Sequence, residues 1–449
     1  MQKKINELLP ENAYRKCDLS PLGFKTTEEL EPCKRFIGQE RAENAIHFGL
    51  GMEPRGYNLY LAGPPGVGKT SSIKEILSKV AKDKPVPPDW CYVYNFQSTN
   101  MPMSISLPTG KGKEFKKDMD DLLESLKNDI PRAFESKEFE EEKDHITNEA
   151  QKQKNDLFEE LHKKAAEQGI QIQFTPTGIV TIPLFQGKPI TQEEYNNLDE
   201  VSKEDIKKRK EKVDEEVPEI LKKVRKLEKE TMEKIKELEK KVALFAVRDI
   251  LDSIREKYKA YPKVIDYLDM MQKHILENID NFMMDKTGEA APPFPFRMPQ
   301  QKPTFTEYQV NVFIDNSNTE GAPVIFETHP TYTNLVGSIE REARFGALVT
   351  DFTMITAGSI AKANGGYLVV EVMDILKYPF VWDALKKVLE NEELRIEDVY
   401  QHYGMSTVGL RPEPIDLDIK VIMTGNPTIY YLLYTYDEDF MKLFKVKAD

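Results

Sequence analysis

Short apolar runs of strand length alternate along the chain with two long stretches in which Lys and Glu surround apolar positions three and four apart. Tyr57-Asn58-Leu59-Tyr60-Leu61-Ala62 predicts a buried strand, and a helical pattern follows over Ser71–Ala81. Trp90–Phe96 predicts a second buried strand, entered from the linker Pro85-Val86-Pro87-Pro88. From Lys113 to about Gln168 the charged pattern takes over. As one continuous helix it would reach on the order of 80 Å at 1.5 Å per residue, so it is expected to project from the body.

Gly169–Phe174 and Gly178–Phe185 alternate apolar and polar positions around Thr175-Pro176-Thr177, which predicts a β-hairpin at the tip of that arm. The return stretch, expected to be interrupted near Pro218, spaces Val224, Leu227, Thr231, Ile235, Leu238, Val242 and Phe245 as a coiled-coil seam. Pro262 opens a further helix carrying Val264, Leu268, Met271, Ile275, Ile279 and Phe282. Beyond the Pro-rich linker Ala290–Pro303, strand patterns return at Tyr308–Ile314, Pro323–Glu327, Asn364–Glu371 and, as the last strand, Ile419–Gly425, with a helix over Trp382–Glu390. Residues 1–112 are therefore expected to hold an N-terminal segment and the first half of a core. Residues 113–300 are expected to form a helical coiled-coil insertion with its hairpin near 169–186, and 301–449 the second half of the core. The predicted fold class is α/β: a parallel sheet with helices on both faces, interrupted by a long helical arm.

The chemistry concentrates at Gly63-Pro64-Pro65-Gly66-Val67-Gly68-Lys69-Thr70, a complete phosphate-binding loop between strand and helix. Its glycines let several backbone N–H groups turn inward on a polyphosphate, and the helix N-terminus adds its positive end. Lys69 is expected to neutralise β/γ charge, and Thr70 to offer its hydroxyl to Mg²⁺, which makes ATP with Mg²⁺ the expected ligand. Asn364-Gly365-Gly366-Tyr367-Leu368-Val369-Val370-Glu371 is a turn into an apolar strand ending in a carboxylate, the form that delivers an acid to the Mg²⁺ shell.

Charge and cysteines narrow the setting. Sixty-three Lys and Arg against 76 Asp and Glu give a net −13, which argues against a nucleic-acid partner, because such binding needs a basic face. Cys17, Cys33 and Cys91 have no paired spacing, as expected in a reducing cytoplasm. No apolar run approaches the roughly 20 residues that span a bilayer, so no membrane partner is expected. The six histidines show no metal-ligand spacing.

The segment Ile37-Gly38-Gln39-Glu40 ahead of the loop is similar to the one with which AAA+ ATPases close over the adenine ring. With the loop itself, the long insertion, Pro330–Gly337, Arg344–Phe352, Ala363–Leu368 and Gly425-Asn426-Pro427, the chain resembles the ATPase part of Lon-like ATP-dependent proteases. The similarity is to the bacterial subgroup with a coiled-coil insertion. It implies Ile37 against the base, Glu371 and Thr70 at the metal, and Asn426 as the sensor of the γ-phosphate. It also implies a homo-oligomeric ring, six-membered in the family, acting on unfolded or damaged proteins, and a Ser-Lys peptidase domain beyond Asp449, so that this chain is expected to be an N-terminal piece.

Two positions depart from the pattern. Val372 stands where a second acid would polarise the attacking water, with Asp374 displaced. Asp439–Lys445 offers lysines where an arginine finger is expected, leaving Arg341 and Arg344, from another loop, as candidate substitutes; the alternative is that they are surface arginines on an amphipathic helix. A nucleotide-stabilised scaffold with little turnover, in which Val372→Glu would raise activity, is the first alternative function. A DNA-associated coiled-coil ATPase is the second.

Overall fold

The computed structural model describes residues 9–11, 13–14, 17–30, 38–175, 178–185, 187–190, 194–195, 198–284, 304–344, 347–397 and 409–449. Ile37, the hairpin turn at Pro176-Thr177 and the linker Ala290–Pro303 lie outside them. In chain order the strands used below are β1 (Leu59–Ala62), β2 (Asp89–Val93), β3 (Met103–Leu107), β4 (Ile170–Thr175), β5 (Gly178–Phe185), β6 (Val310–Ile314), β7 (Val324–Glu327), β8 (Gly366–Glu371), β9 (Ile419–Gly425) and β10 (Val446–Ala448). The helices are α1 (Glu40–Gly51), α2 (Lys69–Val80), α3 (Lys111–Phe134), α4 (Lys137–Glu167), α5 (Glu200–Tyr258), α6 (Pro262–Glu277), α7 (Val372–Lys377), α8 (Val381–Asn391), α9 (Pro427–Tyr436) and α10 (Glu438–Leu443).

A parallel sheet in the order β10-β1-β9-β8-β7 forms the centre. Its strands are apolar on both faces because each face is covered. Leu59, Leu61, Tyr367 and Val369 pack with Ile46 of α1 and Ile73 of α2, whereas Tyr60, Leu368, Val370 and Met423 pack with Leu385 of α8 and Phe440 of α10. The fold is thus α/β with a central parallel sheet. The strand β10 is one more than the sequence pattern supplied: Val446–Ala448 is short, and it gains its strand character only by pairing with β1.

A second, antiparallel sheet, β3-β2-β6, lies between this body and the helices. Alternation along β2 joins the two cores, since Trp90 and Tyr92 enter the first while Cys91 and Val93 enter the second. In the second core Phe115, Met119 and Leu122 of α3 meet Val247 and Leu251 of α5 and Leu268 of α6.

The charged run does not form one helix from Lys113 to Gln168. It breaks between α3 and α4, where the Ser136 hydroxyl accepts from the Phe139 amide and starts a new helix. The first piece, α3, packs on the second sheet rather than projecting. Helix α4 lies antiparallel along α5, with Lys154 meeting Glu228 at 2.7 Å and Lys164 meeting Glu216 at 3.2 Å. No interruption occurs at Pro218: α5 continues through it for 59 residues, about 88 Å. The expected seam holds at Val224 and Leu238, but Phe245 is 78% exposed, and burial passes to Ala243 and Val247. Strands β4 and β5 form the hairpin, and Ile170 and Ile172 join Leu161, Val213 and Val224 in a small core of their own. Among the described residues no helix is long and apolar enough to cross a membrane.

Candidate functional site

Strand β1 delivers the glycine loop to the carboxyl end of the sheet. The Gly63 amide donates to the Gly425 carbonyl at 3.0 Å, tying the start of the loop to the end of β9. A Cβ at Gly63 would meet Val67 Cγ2 at 3.1 Å, a tight contact that the exposed Val67 side chain would have to relieve. Gly66 (φ +88°) and Gly68 (φ +83°) occupy the left-handed region that only glycine enters at little cost. Pro64, Pro65, Gly66, Val67 and Gly68 are exposed, as is Thr70 in the first turn of α2. Lys69 folds over the loop, its Nζ donating to the Gly63 carbonyl at 2.7 Å and the Pro64 carbonyl at 3.0 Å. Beside the loop a cavity of about 230 Å³ is lined by Gln39, Ala42 and Ile46 at the start of α1, by Lys69 and Ser72, and by Pro427.

Glu371 closes β8 at the same end of the same sheet. Parallel register places Leu61, Thr424 and Glu371 in one row across β1, β9 and β8. The Thr424 hydroxyl donates to Glu371 Oε2 at 2.6 Å, fixing the carboxylate from the strand between. Burial, and secondarily the Glu371 charge, push the Tyr60 phenol above its ordinary range, and that hydroxyl donates to the Asn426 carbonyl at 2.9 Å. Asn426 caps α9, its Oδ1 accepting from the Thr428 amide at 2.8 Å, which leaves Nδ2 as the group it can present outward.

The two departures take physical form here. Val372 is fully buried, and its Cγ1 lies against Gly425 beside Tyr60, so this position is a core position. Asp374 pairs with Lys377 at 2.7 Å on α7. Arg341 and Arg344 do not lie on a helix: Glu342–Arg344 pairs antiparallel with Ala347–Val349, while the Arg344 side chain is outside the described residues. Lys442 is taken by Asp439 at 3.0 Å, and Lys445 donates to the Arg55 carbonyl at 3.0 Å.

Besides Thr424 and Tyr60, Glu327 at the end of β7 escaped the sequence reading as a site residue. Its signal was present, because Pro323-Val324-Ile325-Phe326-Glu327 repeats the form of an apolar strand ending in a carboxylate. Glu327 Oε1 accepts from the His329 amide at 2.7 Å, and Oε2 accepts from the Ser359 hydroxyl.

A parallel sheet with a glycine loop on one strand and an acid two strands away is an arrangement of P-loop nucleotide-binding folds, among them the AAA+ ATPases. Comparison with known families agrees, since residues 320–449 match the LonB-like AAA domain and residues 89–122 match the Lon-like LonC helical domain. The chain is thus similar to Lon-like proteins over an AAA domain and over part of a helical domain, and neither match is to a peptidase domain. No curated protein matches it. Among solved structures, NtrX from Brucella abortus is 14% identical over 28% of this chain and 26% of its own, with a TM-score of 0.19. The same protein in complex with ADP is 15% identical over 28% of this chain and 24% of its own, also at 0.19. The chain therefore spans about a quarter of those solved chains, and a similarity at that level adds nothing to the assignment.

Proposed function

We propose that the chain is the ATP-driven module of a cytoplasmic Lon-like protein: it binds ATP with Mg²⁺, hydrolyses it, and works as a homo-oligomeric ring, six-membered by resemblance, on unfolded or damaged proteins. One observation carries the nucleotide part, namely the curled loop and the Glu371 carboxylate together at the carboxyl end of one parallel sheet. In this function the amides of residues 63–68 cradle the phosphates and Lys69 exchanges its carbonyl partners for phosphate oxygens. The cavity beside α1 takes the nucleoside, with Gln39, Ala42 and Ile46 in its wall. Asn426 Nδ2 faces the γ-phosphate.

The oxygens of Thr70 and Glu371 fit Mg²⁺, a hard cation that takes one or two protein ligands and completes its shell from phosphate and water. When bound, the ion neutralises charge developing on the β- and γ-phosphates. Support for self-association comes from α9, which buries none of its residues and exposes Tyr431, Leu432, Tyr434 and Tyr436 next to Asn426.

Titration of the full chain with a fluorescent ATP analogue, alongside sedimentation, tests the proposal. The wild type should bind in the presence of Mg²⁺ and sediment as a larger species with ATP. Lys69→Ala should weaken binding roughly 10- to 100-fold, the scale of losing a charged hydrogen bond of about 1.5–3 kcal/mol. A wild type without nucleotide affinity overturns the assignment. The burial of Val372 favours one alternative, a scaffold that binds ATP without turning it over. Steady-state phosphate release separates the two.

A further inference from the structure

The hydrolysis proposed above, on which this inference rests, needs a group that takes a proton from the attacking water, and the usual position for it is closed. Residue 372 is buried against Tyr60 and Gly425, and Asp374 is engaged by Lys377. Glu371 is held by Thr424 in the row that faces the loop helix.

The adjacent strand offers a replacement. Strand β7 runs parallel beside β8 with Glu327 level with Val370, about 4.8 Å away across the sheet. Successive side chains on a strand alternate faces, so Glu327 shares its face with Val370, opposite that of Glu371. An acid following Glu371 at position 372 would have used that same face. The pair Glu371 and Glu327 thus recreates, from two strands, the two-sided arrangement that an acid dipeptide provides from one.

The surroundings suit a base. Glu327 is half-buried at the end of its strand. The Ser359 hydroxyl and the His329 amide each donate to a different oxygen, which fixes the carboxylate plane and leaves a further lone pair on each oxygen. Ser359 is itself buried, so the orientation is set from within the protein.

We propose that Glu327 is the general base of ATP hydrolysis and Ser359 the residue that positions it. In the step, the water oxygen bonds to the γ-phosphorus while the bond from that phosphorus to the β–γ bridging oxygen breaks, its electron pair leaving with ADP. The water's proton passes to Glu327 and then to solvent as phosphate departs.

The test uses the full chain with ATP and Mg²⁺ and reads both nucleotide affinity and turnover. Glu327→Gln should keep the wild-type dissociation constant within twofold, retain bound ATP unhydrolysed, and lose about 10²-fold or more in kcat. Formate should restore part of the turnover of Glu327→Ala, a rescue that a structural role would not give, and Ser359→Ala should lose less than Glu327→Gln. Turnover by Glu327→Gln within threefold of wild type overturns the base assignment alone. So does a loss that formate leaves untouched and Ser359→Ala equals, because Glu327 would then act only on positioning. A wild type that binds ATP without hydrolysing it overturns this step and leaves the scaffold, and a wild type that does not bind overturns the nucleotide function itself.

Discussion

Gly425 has no room for a side chain, since a Cβ there would run into the Tyr60 hydroxyl and the Val372 side chain. The crowding decides what a mutation at 372 can do. Sequence alone made Val372→Glu a gain of catalytic acid, but the structure makes it a carboxylate forced into a packed apolar core with no partner. We expect the variant to lose roughly 3 kcal/mol or more of stability, measured by urea denaturation, and to show no increase in phosphate release. The turn between β1 and α2 and the place of Glu371 at the end of β8 were legible because each is written in a local pattern. Val372 was not, because burial depends on α7 turning its first residue down between β8 and β9. Glu327 was missed for a related reason: its strand resembles that of Glu371, but only sheet order makes the two neighbours.

Among the elements, the two helix boundaries in the charged stretch show which local signals survive packing. Ser136 ends one helix and caps the next, and Phe134 meets Phe139 edge to face across the break, with ring centroids 5.0 Å apart. Removing the cap with Ser136→Ala should cost about 1 kcal/mol in a urea titration, as an N-cap loss does, while nucleotide affinity stays unchanged. Pro218, the stronger breaker by propensity, fails to break α5. It forfeits one backbone hydrogen bond and crowds the preceding turn, but Val213, Ile220 and Val224 hold both sides of it in the small core at the arm's tip. Strand and helix types were legible from periodicity over most of the chain, and so was the hairpin from its turn residues. What periodicity could not supply was partnership. Trp90–Val93 and Val310–Ile314 have the apolar look of central strands, yet they pair with each other, and the first also with β3, outside the parallel sheet. Val446–Ala448 is too short to carry a pattern at all.

At the scale of the molecule, the P-loop body and the helical module are joined at Glu413. The segment that leads into β9 lies along the start of β3, with the Arg411 amide donating to the Asn100 carbonyl at 2.7 Å and the Glu413 amide to the Pro102 carbonyl at 2.9 Å. The Glu413 carboxylate then accepts from the Ser104 amide at 2.8 Å and from Lys263 Nζ at 2.9 Å, so one side chain fastens the body to β3 and to the first turn of α6. Burial pushes its pKa up, but the hydrogen bonds from Lys263 and Ser104 and the Lys263 charge outweigh that, leaving the carboxyl below its ordinary 4.5. A carboxyl whose pKa falls on folding adds stability that is complete above the unfolded value and disappears as pH drops through the folded one. The clamp should therefore be at full strength near neutrality and weaken progressively below about pH 4.5. Comparing urea midpoints of wild type and Glu413→Gln from pH 7 to pH 3 measures this directly. The wild type should be the more stable at pH 7, and the gap should close on acidification. A gap that stayed constant with pH would mean that Glu413 joins the two modules by packing alone. Because the segment leads into β9, which carries Thr424 and ends at Gly425, just before Asn426, and α6 packs against α5 at the base of the arm, the same charge links the nucleotide edge to the insertion.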